Sequence, residues 1–150
     1  MNILLFSRTY DLIGEFRFSE EGVFESATLS SNGQERFGDL VESWRVQGIP
    51  IRHVREEVQD DGVTRRIIEQ ERVQIRSVDA ATALGCWAVD RELIVYEVTD
   101  RMMGYWHRLS MLEMESEERF VSLQAMCRAP FRLLHAWDQA LNQMLAVSPS

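Results

Sequence analysis

Lysine is absent from the chain: all 16 basic side chains are arginine. The absence excludes Schiff-base chemistry, a lysine-anchored pyridoxal phosphate and the lysine of a P-loop. Cysteine is nearly as scarce, with Cys86 and Cys127 only. In a reducing compartment two such residues are expected as buried small hydrophobes and not as a bridge. No apolar run reaches the length of a bilayer span, and residues 1–8 lack both the basic start and the apolar length of a signal peptide. The expectation is a cytoplasmic protein without membrane contact. GxGxxG, GxxxxGK[ST], HExxH, CxxC and GxSxG patterns are missing too, which argues against the nucleotide-binding and zinc-peptidase classes.

What is present is ordinary globular composition: 150 residues, 45% hydrophobic and 27% charged. That length suits a single domain spanning residues 1–150, able to bury roughly 70% of its unfolded surface. The net charge of −8 is uneven. Residues 1–50 set eight acids against four arginines, residues 51–100 eleven against seven, and residues 101–150 five against five. An acidic surface repels phosphate backbones and anionic lipid, so no direct nucleic-acid partner is expected. Along residues 51–76 the acids alternate with arginines, which gives paired ladders and not the unbroken negative rows that would imitate DNA.

The pattern predicts an α+β fold: a mostly antiparallel sheet built from two hairpins with a crossover helix, then a helical C-terminal third packed on one face. Residues 1–78 read mainly as strands and residues 79–146 mainly as helix. The run from Ile3 to Phe6 suits a central strand covered on both faces. A three-residue loop at Glu20-Glu21-Gly22 would set Phe18 opposite Phe24 and Arg17 opposite Glu25. The same loop at Asp60-Asp61-Gly62 would set Val54 opposite Ile68, Glu56 opposite Arg66 and Glu57 opposite Arg65, leaving a half-solvated ribbon. Between the hairpins, Phe37, Leu40, Val41 and Trp44 recur at helical spacing, predicting a helix at about 34–47 after a Ser31-Asn32-Gly33 turn. A short helix over 79–90 and a strand over 93–98 follow. Residues 101–114 fit both periodicities, and helix is the favoured reading. Ser116 reads as the cap of a long helix kinked at Pro130, whose stripe runs from Phe120 to Leu145.

Candidate chemistry is thin. His53, His107 and His135 are isolated from cysteine and from one another, so no metal, no cofactor and no catalytic group are expected. The paired carboxylates are each explained by a turn, a charge ladder or a helix start. The residue-level candidate is a second apolar patch on the 101–114 segment, formed by Met103, His107, Met111 and Met114 opposite the main stripe. Methionine is soft and adaptable, which suits a partner groove, although a sandwiched helix with Met as gap filler fits the pattern equally. The leading functional expectation is a non-enzymatic bacterial protein that binds another protein or itself: an adaptor, inhibitor, small chaperone or assembly subunit. The alternative is a small-molecule-binding or enzymatic domain with an aromatic pocket between sheet and C-terminal helix, lined by Trp87, Tyr96, Trp106 and Trp137.

Overall fold

The computed structural model describes residues 1–126, with the side chains of residues 53–55 excepted. The expected kink at Pro130, and with it Cys127, His135 and Trp137, lies outside the described residues. The elements run β1 (Asn2–Phe6), β2 (Leu12–Phe18), β3 (Phe24–Leu29), α1 (Ser31–Gln47), β4 (Ile49–Val58), β5 (Thr64–Val73), α2 (Ala80–Asp90), β6 (Ile94–Val98), α3 (Asp100–Ser110) and α4 (Ser116–Met126). The fold is α+β as expected, with both sheets antiparallel. One has the order β3-β2-β1-β6, and among the described residues the other is the ribbon β4-β5.

Strand β1 is buried at every residue because its alternate side chains serve two cores. Ile3 and Leu5 join Phe16, Trp44, Leu84 and Trp87 on one side of the sheet. Leu4 and Phe6 join Tyr96, Trp106, Phe120 and Leu123 on the other. Each large apolar side chain so removed from water contributes about 1.5–3 kcal/mol before the entropy of ordering it is counted. Helices α1 and α2 therefore cover one face and α3 and α4 the other. The described helices of the C-terminal third, α3 and α4, share a face as expected, while α2 lies on the opposite face with α1. Helix α2 is apolar on all sides, with Ala80, Ala81, Ala83, Leu84, Gly85, Cys86, Trp87 and Ala88 buried. Such a helix needs cover all round, and it finds it between the sheet, α1 and the base of the ribbon.

The ribbon pairs in the expected register: Val54 faces Ile68, Glu56 faces Arg66 and Glu57 faces Arg65. In the first hairpin Phe18 does face Phe24, with ring centroids 5.7 Å apart. Arg17, however, faces Ser26 and not Glu25, because a bulge between Arg17 and Phe18 shifts the register. Helix α1 begins three residues earlier than the pattern implied. Ser30 takes an extended conformation and its hydroxyl accepts from the Gly33 amide at 3.0 Å, so Ser31-Asn32-Gly33 becomes a first helical turn. A Cβ on Gly33 would sit 1.9 Å from the Ile13 carbonyl oxygen, which is why that turn can lie against β2. Residues 101–114 are resolved as helix only as far as Ser110. Ser116 is the first residue of α4, and its hydroxyl donates to Asp11 at 2.8 Å. No described helix is long and apolar enough to cross a membrane.

Candidate functional site

The expected patch does not form one helix face. Thr99 caps α3 through its hydroxyl, which accepts from the Met102 amide at 3.2 Å. The helix tightens and stops where the Met111 and Leu112 amides bond to the carbonyls of Arg108 and Leu109, three residues back. Met111 is consequently a C-terminal cap residue, 85% exposed, with Leu112 beside it at 53%. Met114, beyond the turn, is half-buried against the cluster of Trp106 and Phe120. Met103 is likewise half-buried there, and only His107, one turn further on, shares its side of the helix.

Met103 and His107 border a polar cleft of about 200 Å³ lined also by Asn2, Glu15, Phe16, Arg17, Ser26 and Thr28. Its floor follows from strand register: Asn2 stands beside Arg17, which stands beside Ser26, and Glu15 stands beside Thr28. The Asn2 side chain is buried; its amide donates to Asp100 at 2.7 Å and its carbonyl accepts from Arg17 Nε at 3.3 Å. Arg17 also approaches Asp100 at 3.5 Å. His107 Nε2 lies 2.9 Å from Glu15 Oε1, and an ionised carboxylate only accepts, so the imidazole donates there. Each charged group named here has an opposite or donor partner within the cleft. The arrangement therefore reads first as the seam that holds α3 against the sheet, with Arg17 and Glu15 as the residues that composition alone overlooked. Their signal is the polar alternation Glu15-Phe16-Arg17-Phe18 in β2, with the aromatics buried and the charges turned to the other face.

The aromatic quartet of the alternative pocket is divided by the sheet. Trp87 belongs to one core, Tyr96 and Trp106 to the other. Cys86 is buried in α2, and burial pushes its thiol up to about 11, so little thiolate exists at neutral pH to act as a nucleophile. Among the described residues no three His, Cys, Asp or Glu side chains gather as a metal site.

The other exposed feature is the ribbon. Among the described residues its base is packed, through Ile49 and Ile51, and α2 lies against β4. Further out, Ile68 is 63% exposed, Val58 70% and Val63 53%. Comparison of the chain with protein-family models, with curated proteins and with solved structures returns no match.

Proposed function

We propose that the protein acts by binding protein, as an adaptor or assembly subunit, and that the β4–β5 ribbon is its principal contact surface. The observation that carries the reading is a ribbon of ten residue pairs with exposed β-branched side chains along its outer part. At about 3.4 Å per residue it is roughly 30 Å long. Val58, Val63 and Ile68 offer that surface aliphatic contact, and Met111 with Leu112 provides a second exposed apolar point.

The test is a shortened chain in which residues 55–67 are removed and Val54 is joined to Ile68 by a two-residue turn. The cooperative melt should survive, because the buried base of the ribbon is retained. Native mass spectrometry and crosslinking should show the parent in a stoichiometric protein complex that the shortened chain does not form. Identical complexes from both chains would overturn the proposal.

A further inference from the structure

We propose that Asn32 is a modification site gated by the start of α1: its side chain is spared while the helix is docked, is lost as ammonia when the first turn opens, and leaves an isoaspartate that cannot dock again. Of the three asparagines, Asn2, Asn32 and Asn142, only Asn32 precedes a glycine. Asparagine before glycine is especially labile, because no Cβ shields the amide nitrogen that follows it. Hydroxide removes the Gly33 amide proton and the nitrogen attacks Asn32 Cγ. The bond from Cγ to the side-chain nitrogen breaks, that nitrogen takes up a proton and departs as ammonia, and a five-membered imide remains. Water then opens the imide at either carbonyl. One opening yields aspartate and the other isoaspartate, in which the main chain runs through Cβ. The sum is asparagine plus water giving acid plus ammonia.

The fold holds this dipeptide in an unreactive geometry. Asn32 is exposed, so water and base reach it, whereas Gly33 is buried. Both lie in the first turn of α1, and closing the imide ring there requires Asn32 to leave its helical dihedrals. The Gly33 amide donates to Ser30 Oγ at 3.0 Å, a bond forfeited when base takes the proton. The turn is itself pinned. The Ser30 amide donates to the Ile13 carbonyl at 3.0 Å, and the Gln34 amide donates to the Ser30 carbonyl at 2.8 Å. The same tightness makes the damage one-way. Isoaspartate lengthens the main chain by one carbon between Ser30 and Gly33, where even a Cβ added at Gly33 would stand 1.9 Å from the Ile13 oxygen and 2.9 Å from its carbon. The extra atom fits only if the turn lifts, which gives up the Ser30 bond and slackens the helix that carries Phe37, Leu40, Val41 and Trp44 onto the core. Aspartate differs: it keeps the backbone and places negative charge in a first helical turn that holds no acid.

The full chain, held in mildly alkaline buffer with and without guanidinium, tests the gate through ammonia release and tandem mass spectrometry of the peptide containing residue 32. Unfolded chain should lose the Asn32 amide at least about tenfold faster than folded chain, because the native reaction waits on local opening. Asp61-Gly62 can close the same imide, but it expels water, so ammonia does not count it. Asn32→Gln should abolish the release. Ser30→Ala, shown folded by its melt, should raise the native rate about threefold or more and leave the rate in guanidinium unchanged. Should Ser30→Ala not fold, the comparison of folded with unfolded parent decides the gate alone. The acid products, separated by ion exchange and refolded, test the one-way step: the isoaspartate form should melt well below the parent, and Asn32→Asp at or above it. Equal rates in folded and unfolded chain overturn the proposal, as does release that continues undiminished in Asn32→Gln. A folded Ser30→Ala that reacts no faster than the parent overturns it too, and so does an isoaspartate form that melts with the parent.

Discussion

Two turns of the same chemistry, Glu20-Glu21-Gly22 and Asp60-Asp61-Gly62, close hairpins with opposite surroundings. Both glycines have positive φ, +103° and +78°. The first turn is clamped: a Cβ on Gly22 would meet the Val78 carbonyl oxygen at 2.4 Å, and the Ala81 amide donates to the Gly22 carbonyl at the start of α2. The second turn stands in open space, with nothing within 4 Å of a Cβ on Gly62. The arms differ in the same sense. Phe16 and Phe18 are buried, whereas Val58 and Ile68 are exposed. Turn chemistry thus specifies that two strands pair; the apolar content of the arms decides whether the pair joins a core.

The sharpest test of that contrast is truncation of one apolar side chain in each hairpin. Phe16→Ala opens a cavity beside Trp44 and should cost about 3–5 kcal/mol, much of the stability of a domain this size. Ile68→Ala, melted as a monomer, should change stability by no more than about 0.5 kcal/mol. Comparable losses would mean that the ribbon is part of the folding core.

Next in size is the matched substitution of the two glycines. Gly62→Ala carries only the strain of a left-handed residue, about 1–2 kcal/mol, and Gly22→Ala adds a backbone clash and should exceed it by at least about 1 kcal/mol. Denaturant midpoints of the two variants would show the order, and equal midpoints would contradict it.

The smallest effect lies where the turn between β1 and β2 is tied to α4. Hydrogen bonds from Ser116 and Thr9 hold the Asp11 carboxyl below its ordinary range. A depressed carboxylate stabilises the fold fully above its unfolded pKa of about 3.9 and loses that contribution as the pH falls through the folded value. Ser116→Ala should therefore cost about 1 kcal/mol or less at neutral pH and converge on the parent as the pH falls through the folded value. A difference that persists unchanged into acid would show that the hydroxyl acts otherwise.

The ribbon register was readable because complementary charges sit at symmetric distances from Asp61, the middle residue of the turn, which is information carried within a few residues. The bulge at Arg17 was not, since an extra residue in β3 costs little locally. The start of α1 was misread because Ser-Asn-Gly suits a turn and a first helical turn alike; only the approach of Gly33 to Ile13 separates them. Met103, His107, Met111 and Met114 do not share one helix for a related reason. Helical spacing continues through residue 114, but no sequence signal marks the turn after Ser110, and the pairing of His107 with Glu15 spans 92 positions. The aromatic quartet was assembled by residue type, while which side of a sheet a tryptophan occupies depends on the path of the chain around it.

Strand β1, whose alternate residues anchor both layers, also dictates how the molecule opens. Neither pair of helices can lift away without uncovering Ile3 and Leu5 or Leu4 and Phe6. The two layers are therefore coupled into one cooperative unit, and β1 amide protons can trade with deuterium only through global unfolding. The outer amides of the ribbon answer to no such constraint in a monomer. Deuterium should enter them first through local fraying from Gly62, so that one short protein carries a slow centre and a fast arm.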